Sequence, residues 1–192
     1  MAKKYEFQPD KPYATWLSKL QLTKLQQKQL LKWCLYAIVL IVLSLMQDVV
    51  LCRFRFLGGT TALVPCGIFA ICMLEDTQKG SVFALVSACL FFLSGASPGA
   101  HVIVLITILA IVLSALQQTY LQPGFPAVVV ACTVGMFLYE LAVFAFCLLV
   151  DQVIFSQYMS FFIPAALSVV VVPVIYPFIK AINRIGGEVW KE

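Results

Sequence analysis

The chain has 192 residues, of which 62% are hydrophobic and 11% are charged, and its formal net charge at pH 7 is +4. Soluble domains are about 45–50% apolar and about 25% charged, so this chain has too few polar residues to cover a water-exposed surface. The composition therefore excludes a soluble enzyme, a disordered tail and a nucleic-acid-binding domain, and it predicts a polytopic membrane protein.

The N-terminal segment carries most of the positive charge. Seven lysines precede the first long apolar run, which begins near Trp33. We interpret residues 1–32 as a basic, partly amphipathic cytoplasmic segment. Within residues 14–33, leucines and Trp16 form an imperfect apolar face, which favours a helix on the inner leaflet. The alternative is a solvated extension of the first span. The first apolar run has no small-x-small cleavage site, which indicates a retained anchor.

Six apolar stretches follow, separated by Gly, Pro and polar clusters. No Asp, Glu, Lys or Arg occurs in residues 80–139 or 152–179, and a membrane span needs about 20 apolar residues. The predicted helices cover residues 33–51, 59–74, 80–93, 100–116, 125–150 and 161–182. The second and third are short, consistent with tilted or partly re-entrant passages, so five spans is the alternative. The sequence thus predicts an all-α transmembrane domain at 33–182 and a short cytoplasmic tail at 183–192.

The distribution of Lys and Arg predicts the orientation, because positively charged loops remain in the cytoplasm. With the N-terminus inside, the inner segments hold eleven of these residues, whereas the outer segments hold only Arg53 and Arg55. We therefore expect an even number of spans with both termini in the cytoplasm.

The sequence contains no motif typical of catalysis or of cofactor binding. It has no GxxxxGK[ST] loop, no HExxH helix and no second histidine that could join His101 in a metal site. The seven cysteines form no CxxC pair, and we interpret them as small membrane-buried hydrophobic residues. These observations predict a non-enzymatic protein without a cofactor.

Glu140 is the most conspicuous polar residue of the predicted fifth span. A charged residue at the centre of a bilayer costs about 2.5–3.5 kcal/mol on insertion scales, so Glu140 is expected to face protein or a wet cavity. Three interpretations remain open: a hydrogen bond that holds the bundle together, a contact to a partner helix, and an ion or substrate ligand. Gln47, near the outer end of the first helix, is expected to be interfacial.

Small residues recur every four positions in two predicted helices, a pattern that lets helix backbones approach closely. They are Gly80, Ala84 and Ala88 in the third helix, and Ala127, Ala131 and Gly135 in the fifth. These six residues are candidate packing contacts. The pattern does not distinguish a neighbouring helix of the same chain from one of another chain.

Several short motifs, in this order, resemble the rod shape-determining protein MreD family. They are Leu45-Met46-Gln47, Arg53 to Gly58, Leu63 to Pro65, the charged turn Glu75 to Gly80, and the turn Ser94 to Gly99. The resemblance involves about two-thirds of the chain and excludes residues 1–32. The sequence departs from the family pattern where Ala84 and Ala88 replace glycines and where Phe92 replaces an aspartate, so no role of that acid is transferred.

The resemblance implies a non-catalytic component of the bacterial lateral wall-synthesis machinery in the cytoplasmic membrane. Its implied partners are the membrane-anchored scaffold MreC, the actin-like MreB filament, and the wall polymerase with its transpeptidase. Arg53 and Arg55 would meet the stalk of an MreC-like partner at the outer surface. The resemblance also implies a six-helix bundle similar to the substrate-binding subunits of energy-coupling-factor vitamin transporters.

Such a transporter subunit is the alternative function, since size and helix number fit it equally well. It requires a cavity with several convergent polar groups, and the outer halves of the predicted helices offer few. These subunits also tend to carry alanines four residues apart in the first helix, whereas Ala37 and Ser44 lie farther apart here. The sequence therefore favours the scaffold.

Overall fold

The computed structural model describes residues 24–50, 62–95, 97–120, 124–150 and 158–185, and this part of the chain is all-helical. The helices are α1 (Lys24–Leu45), α2 (Leu63–Leu74), α3 (Thr77–Leu93), α4 (His101–Tyr120), α5 (Phe125–Leu149) and α6 (Met159–Ile185). A π-helical turn, Met46–Val50, follows α1 directly.

Four helical stretches are long and apolar enough to cross a membrane. They are Gln26–Val49, His101–Tyr120, Phe125–Leu149 and Phe161–Ile185. The two helices predicted to be short are the two below this length, α2 with 12 residues and α3 with 17. The prediction of an all-helical architecture is confirmed for the described residues, which form six helices. Six complete passages of the membrane remain a prediction.

The first helix begins at Lys24 and continues without interruption past Trp33, where the first span was predicted to start. Residues 24–32 are therefore an extension of α1, and the rest of the predicted surface helix lies outside the described residues. The extension is explained by its composition, because Lys, Gln and Leu all favour helix and no Gly or Pro interrupts them. At the other end of the chain, α6 continues to Ile185, beyond the predicted end at residue 182.

Helix α2 occupies the centre of the bundle. All residues from Leu63 to Met73 are buried, and α2 contacts each of the other five helices. The surrounding helices expose many Leu, Ile, Val and Phe side chains, as expected of surfaces that face lipid. At 1.5 Å per residue α2 is about 18 Å long, well short of a hydrocarbon core of about 30 Å. Side chains of neighbouring helices contact both of its ends.

The N-terminus of α2 is capped by side chains of other helices. Its own N-cap residue is Ala62, which has no side-chain acceptor. The backbone N–H of Ala62 donates to Ser168 Oγ of α6 at 2.8 Å, and the N–H of Val64 donates to Gln47 Oε1 at 3.2 Å. The Ser168 hydroxyl in turn donates to the carbonyl of Pro164 at 2.7 Å. These bonds satisfy N–H groups that a helix end otherwise leaves without a partner.

The C-terminus of α2 is bonded in the same way. Asn183 of α6 donates from Nδ2 to the carbonyl of Leu74 at 3.0 Å, and its Oδ1 accepts from Lys32 Nζ of α1 at 2.7 Å. Residues of α1 and α6 thus reach both ends of α2. Lys32 of α1 and Gln47 of the π-helical turn that follows it are about 15 positions apart, as are Ser168 and Asn183 of α6, and about 22 Å of helix is close to the length of α2 with its caps.

We refer to the two ends of the bundle by these contacts. The Glu75 end contains Lys32, Glu75 and Asn183, and the Gln47 end contains Gln47, Ala62 and Ser168. Chain direction then places the start of α4 at the Gln47 end and the start of α5 at the Glu75 end.

We expect Ser168→Ala to lower the free energy of unfolding by about 1–2 kcal/mol, because the buried N–H of Ala62 loses its acceptor. The control is Thr133→Val, since the Thr133 hydroxyl donates only to Val129 O of its own helix. Denaturant titration of both purified variants in detergent measures the effect. Equal losses in the two variants would contradict capping by Ser168.

Candidate functional site

The Glu75 end is organised around a buried ion pair. Glu75 directly follows α2, and its carboxylate forms an ion pair with Lys32 of α1; the two side chains are 7% and 12% exposed. The Tyr36 hydroxyl donates to Glu75 Oε1 at 2.8 Å. Because Lys32 also donates to Asn183, the network joins α1 and α6 to the end of α2.

An aromatic cluster covers this ion pair on the α3 side. The rings of Trp33 and Tyr36 lie with their centroids 5.8 Å apart, and the Phe83 ring of α3 lies 5.3 Å from Trp33 and 6.0 Å from Tyr36. The Lys32 ammonium is 5.8 Å from the centre of the Tyr36 ring. The rings limit the access of water, which strengthens the attraction between Lys32 and Glu75.

The short connection between α2 and α3 is also bonded to α4. Asp76 Oδ1 accepts from Gln118 Nε2 at 2.9 Å, and the Ser114 hydroxyl donates to Thr77 Oγ1 at 3.1 Å. Both carboxylates thus link the α2–α3 connection to neighbouring helices.

Glu140 lies on the buried side of α5 and is only 6% exposed. Its neighbours along the helix, Phe137 and Phe144, contact Phe162 and Phe161 of α6, with ring centroids 6.0 and 5.3 Å apart. Glu140 therefore lies at the α5–α6 interface and does not face lipid. Among the residues that the structure describes, its carboxyl group has no hydrogen bond and no ion pair.

The small residues predicted in the third helix lie on the side of α3 that faces the bundle. Gly80, Ala84 and Ala88 are all buried. The carbonyl of Gly80 accepts from Cys72 Sγ of α2 at 3.3 Å. A Cβ atom added at Gly80 would lie 3.5 Å from the Cys72 Cα atom, an ordinary van der Waals distance.

The small residues of α5 pack more tightly. Ala131 and Gly135 are buried, and Ala127 is partly exposed. A Cβ atom at Gly135 would lie 2.6 Å from Leu113 Cδ1 of α4 and 3.4 Å from the Phe69 ring of α2. The neighbours of Gly80 and Gly135 in the described structure thus belong to the same chain.

The remaining contact residues predicted from the sequence are Gln47, Arg53 and Arg55. Gln47 is half-buried and caps α2 at Val64. Arg53 and Arg55 lie outside the described residues. His101 at the start of α4 stacks on Phe146 of α5, with ring centroids 3.9 Å apart, and its Nε2 atom is buried without a hydrogen-bond partner in the described part of the chain.

The contacts at the two ends of α2 include residues that are not predicted from the sequence, among them Lys32, Ser168 and Asn183. Glu75 is predicted only as part of the charged turn after the second helix. One feature of the sequence points to these contacts. Lys32 and Gln47 are separated by the same number of residues as Ser168 and Asn183. That spacing becomes informative only once the length of α2 is known.

These features define an all-helical bundle in which helix ends and polar side chains are bonded from helix to helix, and in which four helices are long and apolar enough to cross a membrane. The described residues contain no group of three or more His, Cys, Asp or Glu side chains that could hold a metal ion. No family model, curated protein or solved structure matches the sequence.

We expect Gly135→Ala to be less stable than Gly80→Ala by about 1 kcal/mol or more. Both changes gain about 1 kcal/mol of helix propensity, but only the methyl group at Gly135 forces Leu113 to move. Thermal unfolding of the two variants in the same detergent measures the difference. A Gly135→Ala protein as stable as Gly80→Ala would show that the α4–α5 contact has room for the methyl group.

We expect Glu75→Gln to lower the free energy of unfolding by about 3 kcal/mol, because it leaves the Lys32 charge buried without its partner. Glu140→Gln is the matched comparison. It should change stability by less than about 1 kcal/mol or increase it, because no described residue pairs with Glu140 and an unpaired buried charge is unfavourable. The measurement is denaturant unfolding, and a large loss in Glu140→Gln would reveal a partner of Glu140.

Proposed function

We propose that the chain is a non-catalytic integral membrane component of the bacterial cell-shape, or elongation, complex, and that it scaffolds lateral peptidoglycan synthesis. The proposal rests on the resemblance to the MreD family. The observation that supports it most is the position of the resembling motifs. Gln47 bonds Val64 within the Leu63 to Pro65 motif, and Glu75 and Gly80 begin and end the charged turn.

Three of the five motifs thus make contacts at the ends of α2, whereas the Arg53 to Gly58 motif lies outside the described residues. Proteins that share a fold are expected to resemble each other at the residues that hold the central helix in place. Fold alone does not determine function, so the partners remain part of the proposal.

The use of polar side chains also supports a scaffold. Gln47, Ser168 and Asn183 bond backbone groups of α2, and Lys32 pairs with Glu75. A small-molecule site needs several polar groups directed at a ligand, whereas these are directed at other helices. A rigid bundle of this kind suits a protein that presents fixed surfaces to partners.

The proposed orientation places the Glu75 end and both termini in the cytoplasm. In the described part of the chain, exposed basic residues occur at that end: Lys28, Lys79, Lys180 and Arg184. This end would face an MreB-like filament and the cytoplasmic parts of the wall polymerase. An MreC-like partner and the transpeptidase would be met within the membrane and at the outer surface, where Arg53 and Arg55 are the proposed contacts.

Affinity purification of the tagged full chain from bacterial membranes in mild detergent tests the proposal. We expect mass spectrometry to recover a bitopic coiled-coil protein and a transpeptidase. Arg53→Gln combined with Arg55→Gln should reduce recovery of the bitopic partner several-fold without affecting insertion, because it removes two charges from the proposed outer contact.

The control is Lys28→Gln combined with Lys79→Gln, which removes the same charge at the opposite end. Equal recovery of the bitopic protein with both double variants would contradict the outer contact. A stoichiometric vitamin or a pair of ATPase subunits in the purified sample would overturn the scaffold in favour of a transporter subunit.

A further inference from the structure

Two basic residues lie one helical turn apart near the end of α6. Lys180 and Arg184 are both exposed, and at 100° per residue they lie on the same side of the helix. The Lys180 ammonium is 5.5 Å from the centre of the Tyr176 ring. The Tyr176 ring makes an edge-to-face contact with Phe125 at the start of α5, with centroids 5.1 Å apart. Lys180 is therefore directed along the α5–α6 edge of the bundle.

Neither cation forms an ion pair within the described residues. Glu75 is occupied by Lys32 and Tyr36, and Asp76 accepts from Gln118. No carboxylate in the described part of the chain pairs with Lys180 or Arg184. Asn183, which caps α2, points to a different side of α6. The positive charge of this stripe is thus available to an external anion.

An exposed apolar surface continues from the cations toward the middle of the helix. Pro177, Pro173 and Val170 follow the same side of α6 at intervals of three and four residues, and all are exposed, Val170 by 72%. The side chains of this row are all hydrocarbon, so the surface beside the cations is apolar. A ligand that fits both parts carries a negative group at one end and hydrocarbon at the other.

We propose that Lys180 and Arg184, together with the apolar row Pro177, Pro173 and Val170, form a binding site for an anionic glycerophospholipid. The phosphate group accepts hydrogen bonds from the Lys180 ammonium and the Arg184 guanidinium. The planar guanidinium can donate to two oxygens of the same phosphate. The acyl chains lie along the prolines and Val170. The site does not depend on any protein partner, so it extends beyond the scaffold function.

Lipid titration of the purified full chain, followed by native mass spectrometry, tests this site. The probes are phosphatidylglycerol, phosphatidylcholine as the neutral lipid, and inorganic phosphate. We expect the unmodified protein to prefer phosphatidylglycerol over the other two. Lys180→Gln combined with Arg184→Gln should weaken phosphatidylglycerol binding about ten- to thirty-fold, as expected for the loss of two cations at a membrane surface.

The matched control is again Lys28→Gln combined with Lys79→Gln, which lowers the net charge equally at the same end of the bundle. This control should change binding by less than about two-fold, and thermal unfolding should show that both double variants are folded. Equal loss in the two double variants would overturn the site, because it would indicate attraction to overall charge. Equal binding of inorganic phosphate and lipid would overturn the role of the apolar row.

Discussion

The length of α2 is the constraint on which the rest of the structure depends. A buried 12-residue helix is too short to cross the hydrocarbon core, and its terminal N–H and C=O groups lie against neighbouring helices. Each such group left without a partner costs about 1–3 kcal/mol. Side chains of α1 and α6 supply the partners, and their spacing along those helices matches the length of α2. These contacts therefore fix the positions of α1, α2 and α6 relative to one another.

Polar contacts and close packing decide which helices meet, because burial of apolar surface between helices gains little when the alternative is lipid. The Lys32–Glu75 pair and the Asn183 bonds join α1, α2 and α6 at one end. Gly135 lets α5 approach α2 and α4 within the bundle. Desolvation of the two charges offsets much of the attraction in this ion pair, whereas removal of one partner leaves the other charge buried and unpaired.

Composition and chain breaks predict the helical class, the number of helices and the short length of α2 and α3. These properties are local, since each depends on residues near one another in sequence. The insertion cost of a carboxylate likewise predicts that Glu140 faces protein. The contacts of Lys32 with Asn183 and of Ser168 with Ala62 join residues more than a hundred positions apart. Periodicity identifies the side of a helix that is buried but does not identify its neighbour, so these pairs were not predictable.

The same contacts bear on the choice between a scaffold and a substrate-binding subunit. To hold a ligand, Gln47, Ser168 or Asn183 would have to exchange a backbone group of α2 for the ligand. That exchange would leave a buried N–H or C=O group without a partner, at about 1–3 kcal/mol each, and would loosen the central helix. A scaffold needs no such exchange, because its partners bind surfaces that the internal contacts leave unchanged. These three side chains are therefore better suited to holding α2 in place than to binding a ligand.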